Sequence, residues 1–157
     1  MMKIVPISDT NAHIFDTFEQ DYESEFSALT HKEPDAEGRF AIEADWRSPN
    51  SGLYLFLDQK PAGFAVRGTV EGRSDIAEFY ILPCYRKKGY GKQFAFAIFD
   101  SFPGPWQVRQ IPTARDAIAF WRAVIIKYTN GKYTEDFVED LHWGTVLRQC
   151  FNGRTPE

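Results

Sequence analysis

A basic, glycine-rich turn between a predicted strand and a predicted helix constrains the fold of this chain more than any other segment. The turn occupies residues 86–92 and reads RKKGYGK. The apolar stretch 76–82 before it predicts a β-strand, and residues 93–100 after it predict a helix with an inward-facing aromatic side. Glycines let a backbone approach a ligand closely, and the N–H groups of a first helical turn attract anions. This order of elements therefore predicts a cradle for a phosphate or pyrophosphate.

Two better-known phosphate-binding loops do not fit this turn. A Walker-type loop requires Ser or Thr after its lysine, and here Gln93 follows Lys92. A dinucleotide fingerprint requires three glycines in the pattern G-x-G-x-x-G, and only Gly89 and Gly91 are present. A solvated basic turn with two chance glycines is the simplest alternative. We favour the cradle because the strand, the turn and the helix all agree with it.

The length and composition are those of one globular domain. The 157 residues are 43% hydrophobic and 25% charged, and 14 of them are phenylalanine. A chain of this size is long enough to bury a core, and no linker, repeat or low-complexity tract divides it. We therefore expect a single domain over residues 1–157.

Charge and cysteine content narrow the class of protein. The net charge of −4 argues against a nucleic-acid partner and makes the basic turn a local exception. Two cysteines are too few for a disulfide framework, and the three scattered histidines form no metal-binding pattern, so no metal is expected. Because we find neither a signal peptide nor an apolar run of 18 residues, we expect a cytoplasmic protein with no membrane partner.

Hydrophobic periodicity and turn residues predict a mixed α/β chain in the order β, α, loop, three β, loop, α, β, α and two β. The first helix is expected to be capped by Asp9 or Thr10 and to end near Leu29. Residues 31–51 are polar and predict a loop with room for one short helix. The strands are predicted at 3–7, 53–57, 62–66, 76–82, 106–111, 133–138 and 142–151, a turn at 68–74, and the later helices at 93–100 and 114–126.

The pattern R-x-x-G-x-G at residues 86–91, after a strand that ends in Leu-Pro, resembles the acyl-CoA pyrophosphate loop of the GNAT superfamily of N-acetyltransferases. The order of elements is also the one that this fold would give, so the resemblance covers nearly the whole chain. Its specific part lies at about 76–126. The chain is also similar to a group of acetyltransferases, predicted from sequence, that carry F-W in place of the usual F-Y. The segments concerned are Phe79-Tyr-Ile-Leu82, Tyr85-Arg86, Phe120-Trp-Arg122 and Tyr128-Thr-Asn-Gly131.

The resemblance implies a mixed α/β sheet whose fourth and fifth strands splay apart to form a cleft for acyl-CoA. It implies an enzyme that moves an acetyl group from acetyl-CoA to a primary amine of a small molecule or peptide by direct attack. The main chain of Phe79, Tyr80 and Ile81 would pair with pantetheine like an added strand, and Trp121 would line the thiol end. The pyrophosphate would be held by Arg86, Lys87, Lys88, Gly89, Tyr90, Gly91 and Lys92.

Two positions depart from the family pattern. Ala114 stands where many relatives place an Asn that bonds the pantetheine, and Trp121 stands where many place the Tyr that protonates the departing thiolate. An indole N–H donates a hydrogen bond but is no useful acid at neutral pH. Either Tyr128 or solvent would then protonate the thiolate.

Glu78 is the best-placed candidate for the general base, because it lies on the strand just before the pantetheine-pairing residues. A strand carboxylate that faces solvent or pairs with an arginine is the alternative interpretation. Glu23, Glu25 and Glu43 lie in the first helix and the following loop, where relatives gather residues that bind the acceptor. These carboxylates favour a cationic acceptor.

Two other functions remain open from the sequence alone. A non-catalytic acyl-CoA-binding or sensing module agrees with the missing Tyr and Asn. An unrelated anion-binding protein could use the same loop. The expected partners of the favoured enzyme are acetyl-CoA and an amine, and the chain is expected to be a monomer or a homodimer.

Overall fold

The computed structural model describes residues 1–154, and in that range the chain forms one seven-stranded mixed sheet and three α-helices. This confirms the predicted fold class and the predicted order of elements. A short 3₁₀ helix at Pro83–Tyr85 is an addition to that order. In chain order the elements are β1 (Met2–Pro6), α1 (Ala12–Thr30), β2 (Gly52–Leu57), β3 (Lys60–Val70), β4 (Arg73–Ile81), α2 (Tyr90–Ser101), β5 (Pro105–Gln110), α3 (Arg115–Thr129), β6 (Thr134–Asp140) and β7 (Gly144–Asn152).

The sheet has the strand order β1-β2-β3-β4-β5-β7-β6. Strands β1 and β2, β2 and β3, β5 and β7, and β6 and β7 pair antiparallel. Strands β4 and β5 pair parallel, through Ser74 with Trp106 and Asp75 with Gln107. The splay of these two strands stays a prediction.

Within residues 1–154 the chain divides into two compact units, one made of residues 1–67 and 77–87 and the other of residues 68–76 and 88–154. In the first unit, helix α1 buries Phe15 and Phe18 against strands β2 to β4. The hydroxyl of Tyr54 joins β2 to the start of α1, because it accepts the N–H of Phe15 at 2.8 Å and donates to the carbonyl of Asn11 at 2.7 Å.

Strands β3 and β4 approach each other very closely at Gly63 in this unit. A Cβ atom added to Gly63 would lie 2.2 Å from the carbonyl oxygen of Tyr80. The N–H of Leu82 donates to the carbonyl of Ala62 at 2.8 Å one residue away. The end of β4, where the pantetheine-pairing residues are predicted, is thus held firmly to β3.

Aromatic rings form the core of the second unit. Phe99 of α2 lies at its centre, with its ring 5.0 Å from those of Trp106 and Tyr128 and 4.9 Å from that of Phe151. Trp106 and Phe99 are fully buried. The predicted inward aromatic face of α2 is therefore confirmed.

Two local predictions were wrong. The first concerns the start of α1, where Asn11 stands at the cap position in place of Asp9 or Thr10, and its side chain bonds the preceding turn at Ser8 and Pro6. Residues 31–51, by contrast, form the predicted loop. They contain no short helix, because the side chains of Asp35 and Asp45 accept backbone N–H groups of following residues and so favour turns.

The second error concerns the turn between β3 and β4. It is confined to Glu71 and Gly72, which both have positive φ values, of 50° and 80°. Such a two-residue turn suits the twist of paired strands, so β3 continues through Gly68 to Val70. Among the residues that the structure describes, no helix has the length and apolar character needed to span a membrane.

Candidate active site

The basic turn links β4 to α2 through two residues with left-handed backbone. Lys87 has a φ of 62° and Gly89 a φ of 85°. Gly89 is the cap residue of α2, has no side-chain cap bond, and accepts the N–H of Gln93 at 3.1 Å. The first-turn N–H groups that precede Gln93 have no intrahelical acceptor. Alternating left-handed residues before a helix turn successive N–H groups toward one side, which suits an anion.

Lysine side chains surround this turn at different depths. Lys87 and Lys88 are exposed, and Lys92 is half-buried in the first turn of α2. Tyr90 and Gly91 are also half-buried. Their assignment to the cofactor stays a prediction, and the geometry described here agrees with a phosphate cradle.

Arg86 makes contacts that the sequence did not predict. Its Nη1 and Nη2 donate to the two carboxylate oxygens of Glu25 at 2.7 and 2.8 Å, and its Nε donates to the carbonyl of Ile81 at 2.8 Å. The guanidinium also lies 5.5 Å from the ring centre of Tyr80. Arg86 therefore fastens the turn to α1, and Glu25 serves as its partner. Contact of Arg86 with the cofactor stays a prediction.

The residues predicted to pair with pantetheine lie at the end of β4. Tyr80 and Ile81 are buried and Phe79 is half-buried. The ring of Tyr80 packs in the core of the first unit, 5.8 Å from that of Phe64. The pairing of their main-chain groups with pantetheine stays a prediction.

Glu78 lies in a cluster of buried carboxyl groups. One carboxylate oxygen each from Glu19, Glu23 and Glu78 lies within 4.8 Å of the others. The exposed fractions are 0% for Glu19, 6% for Glu23 and 8% for Glu78. The alternative of a solvent-facing or arginine-paired Glu78 is thus not what the structure has.

Electrostatics in this cluster favour a protonated Glu78. Burial, followed by the neighbouring Glu19 and Glu23, raises the pKa of Glu78 to about 11, and Lys32 opposes the shift. Burial also raises the pKa of Glu19. We expect the Glu19 and Glu78 pair to hold one proton at neutral pH, located on Glu78.

The other predicted acceptor residues differ in their surroundings. Glu23 accepts from the ammonium nitrogen of Lys32 at 3.2 Å, and Glu43 lies 3.9 Å from the same nitrogen. Glu23 therefore joins the cluster, and the exposed Glu43 lies at its edge. Glu25 is engaged with Arg86 instead.

Trp121 and Tyr128, both on α3, lie in the core of the second unit. Trp121 is 6% exposed, with its ring 4.9 Å from that of Phe120 and 6.3 Å from that of Phe99. The hydroxyl of Tyr128 donates to Asp100 at 2.8 Å and accepts the N–H of Arg154 at 2.9 Å. The proton that Tyr128 would give to a thiolate is thus already shared with Asp100.

Sequence reasoning missed Glu19 and Lys32. Glu19 follows Phe15 at i+4, so helical spacing places it on the buried face of α1. This spacing is the sequence feature from which the burial of Glu19 could have been predicted. Lys32 is positioned by a bond from its ammonium group to the carbonyl of Ala41 at 2.7 Å, within the irregular loop. No pattern in the sequence predicts such a contact.

The family model described as "Acetyltransferase (GNAT) family" matches residues 13–123. The chain belongs to the GNAT acetyltransferase family. As a GNAT acetyltransferase it is an enzyme, and its co-substrate is acetyl-CoA, as the resemblance implied. No curated protein matches the chain in sequence.

Solved structures of GNAT acetyltransferases have the same fold. An acetyltransferase (GNAT family) from Bacillus anthracis is 13% identical, with a TM-score of 0.65 over 97% of this chain and 95% of that one. The ribosomal-protein-S18-alanine N-acetyltransferase of Escherichia coli is 11% identical, with a TM-score of 0.62 over 100% and 97%. The PaiA N-acetyltransferase of Thermoplasma acidophilum, solved with coenzyme A, is 10% identical, with a TM-score of 0.60 over 94% and 98%.

Proposed function

We propose that this GNAT acetyltransferase transfers the acetyl group of acetyl-CoA to a primary amine by direct attack. The observation that carries the proposal is the buried carboxyl cluster at Glu78, one residue before the strand segment proposed to bind pantetheine. An amine needs a proton acceptor in order to attack a thioester, and this cluster is the buried acceptor nearest in sequence to that segment.

The proposed reaction has two bond changes, and the nitrogen of a cationic amine loses two protons in it. The first passes to the Glu78 carboxylate and on to solvent, which frees the lone pair on nitrogen. The amine nitrogen attacks the thioester carbonyl carbon, and the carbon–sulfur bond then breaks to release the coenzyme A thiolate. The second proton from nitrogen passes to Glu78, and solvent protonates the thiolate. Solvent is preferred over Tyr128 because the hydroxyl proton of Tyr128 is shared with Asp100. The Tyr128 alternative is tested separately in the Discussion.

A protonated Glu78 must lose its proton before it can act as a base. An ammonium group that approaches the cluster lowers the pKa of Glu78, since a nearby positive charge favours the carboxylate. The positive charge of the substrate would thus help to convert Glu78 to the carboxylate that acts as the base. This order of events favours amines that arrive as cations.

The cofactor is proposed to bind along one continuous stretch of chain. The main chain of Phe79, Tyr80 and Ile81 would take the amides of pantetheine, and residues 86–92 would take the pyrophosphate. The left-handed backbone at Lys87 and Gly89 supports the second assignment. Trp121 is proposed to line the thiol end, as the family resemblance implies.

The proposal also covers the setting of the reaction. We propose that residues 1–157 act as one domain, of which 155–157 lie outside the described residues. The cytoplasm is the proposed compartment, because its acetyl-CoA pool supplies the co-substrate. A monomer or a homodimer is the proposed state.

The test is release of coenzyme A thiol from acetyl-CoA over a panel of primary amines, alongside calorimetry with coenzyme A. Transfer to at least one amine at a rate far above thioester hydrolysis would support the proposal. Binding of coenzyme A with no transfer to any amine would favour a non-catalytic acyl-CoA-binding module. The absence of coenzyme A binding would overturn the proposed cofactor site.

A further inference from the structure

Glu19 is a buried carboxyl group whose hydrogen bonding is incomplete. Its side chain is 0% exposed, and its contact with the carboxyl group of Glu78 is a hydrogen bond only through the single proton that the pair holds. That proton can join only one oxygen of Glu19 to one of Glu78, so the other Glu19 oxygen has no donor among residues 1–154. Buried polar groups are nearly always satisfied, and an unsatisfied buried carboxylate costs stability. The pair therefore lacks one further donor, which a positively charged group would supply best.

The same cluster already binds one ammonium group, that of Lys32. The Lys32 nitrogen donates to Oε2 of Glu23 at 3.2 Å and to the carbonyl of Ala41 at 2.7 Å. It donates to neither carboxyl group of the Glu19–Glu78 pair. The cluster therefore has one carboxylate satisfied by an alkylammonium and a neighbouring carboxyl pair that is not.

We propose that the Glu19–Glu78 carboxyl pair binds the ammonium group of the acceptor, beside the Lys32–Glu23 ion pair. The acceptor is then a primary alkylamine that arrives as a cation. This inference rests on the proposed function and adds the chemical class and the anchoring residues of the acceptor.

Charge balance supports one ammonium in this position. Lys32 compensates Glu23, while Glu19 and Glu78 with one shared proton keep one uncompensated negative charge. Two other ionisable groups interact with the pair, Glu43 and Tyr22. Tyr22 stays neutral, because burial and these carboxylates raise its pKa well above its ordinary value. A monocation compensates the charge of Glu19 and also favours ionisation of Glu78, and an uncharged alcohol or amide does neither.

A divalent metal fits the pair less well. Calcium takes six to eight oxygen ligands and magnesium a near-ideal octahedron. The cluster brings together three carboxylates, and Glu23 is already bound to Lys32. An ammonium group requires only a few acceptors, which matches the Glu19 oxygen that the shared proton leaves without a donor.

The number of protons released when an amine binds is a specific test of this site. Because its raised pKa favours a protonated Glu78 in the free protein, an ammonium that binds beside it favours loss of that proton to solvent. Amine binding is therefore expected to release a proton and to strengthen as pH rises, until the amine itself loses its charge. A purely structural Glu19 would give neither effect.

The experiment is calorimetry of 1-propylamine and 1,4-diaminobutane with the full chain saturated with coenzyme A, in two buffers of different ionisation heat. Glu19→Gln is compared with Asp16→Asn, a variant of an exposed carboxylate on the same helix. Wild type and Asp16→Asn should bind amine with proton release. Glu19→Gln should bind at least tenfold more weakly and with less proton release, while its affinity for coenzyme A is unchanged.

Circular dichroism checks that the variants are folded. Glu78→Gln tests the second residue of the pair, and amine binding to this variant should release no proton. Unchanged amine affinity in both variants would overturn the proposed amine site. Tight binding of Mn²⁺ that depends on Glu19, together with no binding of amine, would overturn it as well. If wild type acetylates amines and Glu19→Gln keeps the same amine KM, this inference fails and the proposed function stands. If amine binding depends on Glu19 but no amine is acetylated, the proposed function fails and the site stands.

Discussion

Arg86 holds Glu25 of helix α1 through two parallel hydrogen bonds of 2.7 and 2.8 Å, and so ties the basic turn to the helix that carries the acidic cluster. The pair is partly exposed, so its contribution to stability is about 0.5 kcal/mol. Its importance is positional, because the same guanidinium also binds the carbonyl of Ile81 at the end of β4.

The first prediction separates positioning from direct cofactor contact at Arg86. Glu25→Gln should lower coenzyme A affinity slightly, since it loosens the turn. Arg86→Ala should lower it further, because the remaining N–H groups and the positive charge are lost as well. Calorimetry with coenzyme A measures both. Equal losses would mean that Arg86 acts only by holding the turn.

The second prediction uses two glycines with the same backbone conformation. Gly89 in the basic turn has a φ of 85° and Gly72 in the β3–β4 turn has a φ of 80°. An added Cβ at Gly89 would meet only the side chain of Gln93, at an ordinary contact distance of 3.8 Å, and one at Gly72 would meet nothing within 4 Å. Alanine at either position should cost a similar amount of stability, about 1–2 kcal/mol, through left-handed strain. Only Gly89→Ala should also weaken coenzyme A binding, by about 2 kcal/mol.

Lysine variants complete that test. Lys87→Ala and Lys88→Ala should weaken coenzyme A binding less than Gly89→Ala and should mainly change its salt dependence. Titrations at two salt concentrations measure this. Equal coenzyme A affinity in Gly89→Ala and Gly72→Ala would contradict the placement of the pyrophosphate.

The third prediction concerns the base. Glu78→Gln should lower turnover by about 100-fold and leave coenzyme A affinity intact, because it removes the proposed proton acceptor and no cofactor contact. Steady-state kinetics with the best amine of the panel measures this. Unchanged turnover at every pH would exclude Glu78 and direct attention to Glu19 and Glu23.

The fourth prediction concerns stability as a function of pH. The pKa of Glu78 is raised in the folded protein to about 11, so the folded state binds this proton more tightly than the unfolded chain does. The associated stability is fully present below the unfolded pKa and declines as pH rises from about 4.5 toward 11. Wild type should therefore lose Tm on going from pH 5 to pH 9 more steeply than Glu78→Gln. Parallel curves would contradict the raised pKa.

The fifth prediction decides the role of Tyr128. Tyr128→Phe removes the bonds to Asp100 and from the N–H of Arg154, so it should cost about 1–2 kcal/mol of stability. If solvent protonates the thiolate, turnover should stay near that of wild type. A large loss of turnover with unchanged binding would instead identify Tyr128 as the acid. Denaturant unfolding and steady-state kinetics together measure both effects.

Most of the fold could be predicted because the chain alternates clearly between a period of two in its strands and of 3.6 in its helices. The strand, turn and helix around residues 76–100 were all predicted, since local residues alone determine them. The irregular stretch 31–51 was harder, because Asp35 and Asp45 bind neighbouring backbone groups in a way that propensities do not describe.

The acidic cluster could be predicted only in part. Glu78 and Glu23 were identified from their elements, but Glu19 was not, because its partner Glu78 lies on a distant strand. The state of Glu78 was beyond sequence reasoning for the same reason, since its pKa depends on burial and on carboxyl groups that tertiary packing brings together.

Gly63 provides a position by which proteins related to this one can be recognised. Any side chain at that position would strike the carbonyl of Tyr80, so every chain that keeps the same approach of β3 to β4 must keep a glycine there. Divergent sequences can therefore be aligned on this glycine even where the acidic residues differ. Those that also carry glutamate at the positions of Glu19 and Glu78 are the ones in which to look for a shared preference for cationic amines.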